Sequence, residues 1–388
     1  MPWKEATKVE LKEEFVMLAE QPNANMSQLC RRFGISRPTG YKWLARYRAE
    51  GFEGLTERSR RPHRSPNKTP DHIEQLVEDA RNNDRSWGGR KLHHHLRRQA
   101  TAGELDVDAD QIPAPSTITA ILDRKGLLDT TCVRGRQGPW ERFERAVPNA
   151  LWQMDFKGEF KLDSGAWCYP LTIIDDHSRF AVATQACSNQ RRKTVKGHLQ
   201  AIFARYGLPE AILCDNGPPW GSPQRFPDGR PPYTRLAAWL IRLGIRVSYS
   251  RPGHPQSKGK NERFNGTLKA ELLRFERFAD QAHAQNRMSD WRTRYNTVRP
   301  HEALNMAAPA SRYQPSRVEL PETLPPVEYG PDDTTRKVSD GGLISFHGQT
   351  FRVGKAFIGH PVAVRASAEA QTHKVFFCNQ HIRTITLN

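Results

Sequence analysis

Long apolar runs are missing from this 388-residue chain: no stretch approaches the ~20 residues that cross a bilayer. Met1 to Glu14 is charged throughout and lacks the apolar segment of a signal peptide, so neither a membrane protein nor a secreted one is expected. Cysteine is scarce, with six residues scattered at 30, 132, 168, 187, 214 and 378 and no C-x-x-C pair. That scatter argues against a disulfide framework or a zinc site and suits reduced thiols in a cytosol. The run His93-His94-His95 does not stand in as a ligand set, because successive residues point around a helix rather than converging. Acidic residues are in deficit, 42 against 59 Lys and Arg, which leaves a net charge of +17. An excess of that size favours a phosphate polyanion, whose condensed counterions are released by bound cations; a generally soluble basic surface is the alternative. What is present suffices for cores: 37% hydrophobic residues, with nine Trp and 17 Phe, exclude wholesale disorder.

Composition shifts divide the chain into several segments. Over 1–55, Leu11, Phe15 and Leu18 have helical spacing, and Ser27 and Ser36 are candidate caps of two short helices separated by Gly34. Two short helices joined by a tight glycine turn form the helix-turn-helix pattern. Its second helix would pack Trp43, Leu44 and Tyr47 inward and present Arg37, Thr39, Lys42 and Arg46 to a DNA major groove. Gly40 is out of place there, costing about 1 kcal/mol in a helix interior. An ordinary helical hairpin is the competing reading. Residues 56–70, with four arginines, one lysine and three prolines, read as a basic linker. Residues 71–130 return to helical periodicity at Ile73, Leu76, Val77, then Leu92, Leu96, then Ile118, Ile121, Leu122. They read as a second helical, helix-turn-helix-like DNA-binding domain whose last helix starts near Ser116 and ends near Gly126.

From 148 to 280 strands and helices alternate. Leu151–Phe160 and Trp167–Asp175 flank the turn Asp163-Ser164-Gly165, and Phe180–Cys187 follows. Next come a helix over Val195–Tyr206, the strand Ala211–Cys214, a helix over 234–243, the strand Arg246–Tyr249 and a long polar helix from Ser257. This pattern is a mixed α/β sheet. A helical extension over 281–308 and a Pro-rich linker over 309–335 precede residues 336–388. There Leu343–Phe346, Phe351–Val353, Val362–Arg365, Val375–Phe377 and Ile382–Leu387 read as five short strands of a small all-β barrel.

Three carboxylates stand out by context. Asp155 is mid-strand, where a charge is expensive to bury without a partner. Asp215 projects from the C-terminal end of a strand, where open α/β sheets place ligands. Glu262 lies on a helix among Lys258, Lys260 and Arg263. Two hard cations about 3.5–4 Å apart can activate a nucleophile and stabilise the leaving oxygen of a phosphodiester, and Mg²⁺ keeps positions open for water and phosphate. Taken singly, each carboxylate could be a surface or turn residue, and Asp175 and Asp176 compete for the role. Lys258 and Lys269 share a helical face with Glu262, as phosphate contacts or as a solvated face. Asn216 orients Asp215, touches DNA or simply shapes the turn.

The strings Trp152-Gln-Met-Asp-Phe, Asp175-Asp-His-Ser-Arg, Asp215-Asn-Gly and His254-Pro-Gln-Ser-Lys-Gly-Lys-Asn-Glu-Arg-Phe-Asn resemble the integrase-type (DDE) catalytic core. That core belongs to bacterial insertion-sequence transposases and retroviral integrases. Tyr295-Asn-Thr-Val-Arg-Pro-His is similar to the segment closing the core in the insertion-sequence branch. The resemblance implies an RNase H-like fold in which Asp155, Asp215 and Glu262 bind two Mg²⁺ ions, with Mn²⁺ substituting. It implies cleavage at terminal inverted repeats and strand transfer into target DNA, without a protein nucleophile or a nucleotide cofactor. It also implies homo-oligomers on double-stranded DNA, in a bacterial cytoplasm and nucleoid-associated, and makes Asp175 and Asp176 a structural strand end.

Two departures matter. The 46 residues between Asp215 and Glu262 exceed the usual spacing in the wider superfamily, and the extra Pro218–Pro232 stretch reads as a surface loop. No His₂Cys₂ pattern precedes the core, so end recognition falls to the helix-turn-helix. The expected fold class is therefore multidomain: N-terminal all-α helix-turn-helix units, a central α/β RNase H-like mixed sheet and a C-terminal all-β barrel. Rival functions are a sequence-specific DNA-binding regulator with an inactive core and an RNase H-type hybrid nuclease.

Overall fold

The computed structural model describes residues 7–58, 68–128, 144–222, 226, 232–250 and 259–387. The chain divides into two compact units, Met1–Lys68 and Thr69–Asn388.

In the first unit, α1 (Lys8–Ala19) opens with a reciprocal cap: Thr7 Oγ1 accepts from Glu10 N, and the Glu10 carboxylate accepts from Thr7 N at 2.6 Å. α2 (Met26–Arg32) is capped by Asn25, which accepts from Ser27 N and Gln28 N. Ser27 is thus inside the first turn rather than the expected cap; Asn and Ser cap equally well, and the sequence offers both. Gly34, at φ +64°, closes the turn, and Ser36 caps α3 (Arg37–Glu50) as expected. Phe15, Val16, Cys30, Trp43, Leu44 and Leu55 form the core, while Leu11, expected inside, is 43% exposed. Gly40 is required by packing: a Cβ there would lie 2.7 Å from Cys30 Sγ and 2.8 Å from Phe15 Cζ.

The second unit begins with α4 (Asp71–Asn83), α5 (Gly89–Thr101) and α6 (Pro115–Arg124) around Val77, Trp87, Leu92, Leu96, Ile118, Ile121 and Leu122. α6 starts at Pro115, one residue before the expected Ser116, because proline suits the first helical position. Of the three histidines, His93 Nδ1 meets Pro113 O at 2.7 Å and His95 is buried edge-on to Trp87.

There follow β1 (Trp152–Phe156), β2 (Phe160–Lys161), β3 (Trp167–Asp175), β4 (Ala181–Cys187), α7 (Arg192–Tyr206), β5 (Ala211–Cys214), α8 (Arg235–Arg242), β6 (Arg246–Tyr249), α9 (Gly259–Leu268) and α10 (Gln281–Thr297). β3 pairs antiparallel with both β1 and β4, whereas β1, β5 and β6 are parallel neighbours. The strand expected over Leu151–Phe160 is broken by Gly158 at φ +97°, and its second part pairs separately with Trp167 and Cys168. α7 and α8 bury Leu199, Phe203 and Leu240 with Trp152, Leu171 and Ile212. α9 and α10 bury Phe264, Leu268, Met288 and Tyr295 with Cys168, Ile174 and Ala181. A sheet buried on both faces explains why these strands carry apolar runs rather than alternation.

The segment expected as a Pro-rich linker is strapped to this body: Leu208 N donates to Val318 O at 2.7 Å, and Tyr313 stacks on Phe180 at 4.0 Å. Pro218–Pro232 is likewise no mere surface loop, since Trp220 and Phe226 are buried and Trp220 stacks on Phe156. Beyond it lie β7 (Thr334–Lys337), β8 (Leu343–Phe346), β9 (Gln349–Arg352), β10 (Pro361–Ala366), β11 (Thr372–Phe377) and β12 (Gln380–Thr386). They form a four-stranded sheet ordered β12-β11-β10-β7 plus a separate β8–β9 hairpin, so the expected barrel does not close. β7 escapes detection in the sequence because all four of its residues are exposed and none is apolar.

Candidate active site

β1 and β5 run parallel with Trp152 opposite Ile212 and Gln153 opposite Leu213. Continuing the same offset sets Asp155 level with Asp215, one residue past β5, on strands about 4.8 Å apart. Both aspartates are half-buried. Asp215 Oδ1 accepts from Gly217 N at 3.2 Å, which fixes the carboxylate in a local turn. Asn216 Nδ2 donates to Ser250 O at 2.8 Å, so it ties the end of β5 to that of β6.

α9 delivers Glu262. Its inward residues Asn261 and Asn265 reach the hydroxyl of Thr172 at 3.2 and 2.9 Å, and Thr172 is the partner of Asp155 across β1 and β3. Asn261 N donates to Gln153 Oε1, and Gln153 Nε2 donates to Asp176 Oδ1 at 2.9 Å. Lys260 Nζ meets the same Asp176 carboxylate at 2.6 Å, although burial pushes the ammonium's pKa down. Asp175 accepts from Asn149 N, Ser178 N and Ser178 Oγ; burial pushes its carboxyl up and these bonds oppose the shift. Asp175 and Asp176 are therefore occupied in holding the strand end and the foot of α9. Glu262, next to buried Asn261, is exposed. Among the described residues no three His, Cys, Asp or Glu side chains converge tightly enough to hold a metal ion. The two aspartates share one strand end while Glu262 stands on the neighbouring helix. As a donor set, three carboxylates have the hard oxygen chemistry that Mg²⁺ takes.

The basic residues separate. Lys258 lies outside the described residues. Lys260 is turned to Asp176 rather than to the solvent face. Arg263 is exposed beside Glu262, and Lys269 is exposed at the start of a π turn over Lys269–Leu273. Lys157 is a residue the sequence reading missed. Burial and Lys269 push its ammonium down while Asp155 works against them, so the three share one electrostatic neighbourhood. The available signal was its position two residues after Asp155, on the same strand face. In the first unit Arg37 and Lys42 are exposed, whereas Thr39 and Arg46 are half-buried. Thr39 Oγ1 lies 2.8 Å from Ser36 Oγ, and Arg46 sits 5.1 Å from the Trp43 ring centre.

A second missed residue, Glu271, organises the segment from Tyr295 to His301. It accepts from Arg299 Nε at 2.8 Å, Ser86 Oγ at 3.1 Å and Trp291 Nε1 at 3.2 Å. Asn296 brackets Ala181 with two backbone hydrogen bonds of 2.8 and 3.0 Å. These contacts lock α10 to β4 and join the helical segment of α4–α6 to the core.

Family models for an integrase core domain match residues 145–255 and 243–309. Models for the leucine-zipper of insertion element IS481 and for the IS481 family transposase C-terminal domain match 9–82 and 333–388. The longest described helix within 9–82 has 14 residues, short of the three heptads, about 21 residues, of a sustained zipper. The chain is 30% identical over 250 residues to the insertion element IS407 uncharacterized 31.7 kDa protein of Burkholderia multivorans, covering 62% of this chain and 82% of that one. It is 26% identical over 280 residues to the insertion element IS476 uncharacterized 39.2 kDa protein of Xanthomonas euvesicatoria, covering 72% and 75%. Among solved structures, a chain of the simian T-cell lymphotropic virus intasome in complex with PP2A regulatory subunit B56 gamma is similar at 17% identity, with 75% of this chain and 99% of that chain covered and a TM-score of 0.36. Integrase core models spanning Asp155, Asp215 and Glu262, together with an insertion-element relative matched over most of its length, show that the chain belongs to the insertion-sequence transposases with an integrase core domain.

Proposed function

We propose that this protein cuts and joins DNA at the inverted-repeat ends of its element, with Asp155, Asp215 and Glu262 as the catalytic carboxylates. The register of β1 and β5 is what carries the proposal: it supports a pair of aspartates side by side where open sheets bind ligands. Asp155 and Asp215 hold Mg²⁺ through carboxylate oxygens, and Glu262 joins them from α9, whose seat on Thr172 and Gln153 sets its height over β1. Bound as two ions, with Mn²⁺ as a substitute, the metal supplies activation of a water and stabilisation of the leaving oxygen. In cleavage, a water oxygen bonds to phosphorus as the bond to the 3′ oxygen breaks, leaving a 3′-hydroxyl and a 5′-phosphate. In joining, that hydroxyl attacks a target phosphodiester, loses its proton and displaces the target strand's 3′ oxygen.

Lys157, Lys258, Arg263 and Lys269 neutralise phosphates beside the carboxylates, while Lys260 positions α9 through Asp176. Arg37, Thr39, Lys42 and Arg46 on α3 read the end sequence, and homo-oligomers bring two ends together. The test is nicking and joining of duplexes carrying the repeats that flank the gene, with Mg²⁺ or Mn²⁺. Glu262→Gln and Asp155→Asn should each lower nicking by more than about 100-fold, since even outer-shell changes cost ~10–100-fold, with DNA affinity unchanged. Wild-type binding without nicking would point to a regulator instead, and hydrolysis confined to RNA–DNA hybrid to a hybrid nuclease.

A further inference from the structure

Just after α4, Asp84 pairs with Arg294 of α10, its Oδ1 accepting from Arg294 Nε at 3.0 Å, and Ser86 Oγ donates to Glu271 at 3.1 Å. The residues on both sides of Arg85 are thus clasped to the catalytic part of the chain. Arg85 itself is exposed, and its guanidinium lies 5.4 Å from the ring centre of Phe275. Arg274 lies 5.9 Å from the same ring. Phe275 is 43% exposed and belongs to none of the four hydrophobic cores. The acids nearby are engaged elsewhere: Glu271 by Arg299, Trp291 and Ser86, and Glu276 by Nε and Nη2 of Arg287 at 2.7 and 2.6 Å. Arg277, two residues on, is exposed as well. The result is a cationic surface with one aromatic ring at its centre, assembled from two separate stretches of chain.

We propose that Phe275, Arg85 and Arg274 form a composite contact for double-stranded DNA, in which the ring wedges at a base step and the guanidiniums take the flanking phosphates. Apolar wedges rimmed by arginine are how proteins unstack and bend duplexes from the minor groove. A protein partner covering Phe275 would instead have to bury the arginines beside it, which is costly without matched acids; a phosphate backbone neutralises them. Guanidiniums resting by the ring also pre-set its orientation. Phe275 follows Glu262 by 13 residues along α9 and the π turn. At 1.5 Å per residue that is on the order of 20 Å, or about six base pairs at 3.4 Å each. The contact therefore engages duplex inside the end, away from the scissile phosphate, and it exists only while the Asp84–Arg294 clasp is closed.

This inference rests on the proposal that the chain binds its element's ends, and the experiment separates the two. Full-length protein is titrated, with Ca²⁺ in place of Mg²⁺ to prevent cutting, onto end duplexes carrying 2-aminopurine at successive positions. Fluorescence should rise at one step about five to seven base pairs from the cleavage site as the base unstacks. Phe275→Ala should abolish that rise and weaken binding about 10-fold, whereas Phe275→Trp should keep both. Arg85→Gln should lower the slope of log affinity against log salt by about one. If Phe275→Ala fails to fold by circular dichroism, Arg85→Gln carries the test alone. Wild-type binding with no fluorescence change at any position, or equal affinity of Phe275→Ala, overturns the wedge. So does an altered oligomeric state of Phe275→Ala with unchanged DNA binding, which would reassign the face to protein. Failure of the wild type to bind end DNA at all removes the functional proposal and the wedge with it.

Discussion

Removing the carboxylate of Glu271 should be among the most damaging single changes outside the catalytic carboxylates. Glu271→Ala leaves the Arg299 side chain, only 8% exposed, without its counter-charge and takes an acceptor from Trp291 and Ser86. Breaking a buried pair from one side costs about 3–5 kcal/mol, and each neutral hydrogen bond about 1 kcal/mol more. Because the three donors share one acceptor, the sum is not fully additive, and about 4–6 kcal/mol is expected. For a body of this size that is a fall in Tm on the order of 10–20 °C. Urea and thermal unfolding of the full chain read it directly. The decisive arm is the double variant Glu271→Leu/Arg299→Leu, which removes both charges and should recover most of the loss, since apolar replacement of a buried pair is often neutral. A cost below about 1 kcal/mol for Glu271→Ala, or a double variant as unstable as the sum of the singles, would refute the reasoning.

Other expectations concern pH and packing. Burial, and next the charge of Arg299, push Lys91 down to about 8 from 10.5. Between those values the unfolded chain holds a proton that the fold does not, so this lysine makes stability rise with pH, by up to about 3 kcal/mol. Cys168 and Cys187, raised by burial to about 11 and about 12, work the other way above pH 9. The measurement is therefore wild type against Lys91→Met, whose difference should narrow from pH 8 upward; a constant difference would contradict it. Burial, aided by Arg299, holds His301 down to about 2, so the unfolded chain alone takes up a proton below pH 6.5. Stability should fall on acidification through that point, and His301→Gln should flatten the profile. Gly40→Ala gains about 1 kcal/mol of helix propensity but forces contacts inside 3 Å on Cys30 and Phe15. Net destabilisation of about 1–2 kcal/mol is expected in urea, and a stabilised variant would show that the helices can part freely.

Much of the core was legible because its signals are local. Apolar runs mark β3 and β5, and Asp215-Asn-Gly marks a strand end on its own. What escaped depends on partners far along the chain. Glu271 looks like any helix-surface glutamate until Ser86, 185 residues away, meets it. Lys260 shares a basic run with Lys258 and Arg263, and only the buried Asp176 beneath it reveals which way it turns. Five of the C-terminal strands could be read from their apolar residues, but barrel closure depends on pairing of the outermost strands, which β7 and β12 do not make. Similarly, the prolines of 309–335 signalled a linker, yet Leu320, Leu324 and Val327 among them pack on the core.

One hydrophobic cluster runs from Trp152 and Ile212 of the catalytic sheet to Phe377, Ile382 and Ile385 near the end of the chain. For a polypeptide emerging from the ribosome, this means that strands made early wait for covers made late. After Val247 has been added, some 140 residues remain before Ile385, roughly 7–28 s at about 5–20 residues per second. Throughout that interval part of the apolar surface around α8 and β6 has no partner, so nascent chains stalled short of β10 should be trapped by chaperones or aggregate. Synthesis carried to completion then licenses a foldable catalytic body, which keeps prematurely terminated transposase from cutting DNA.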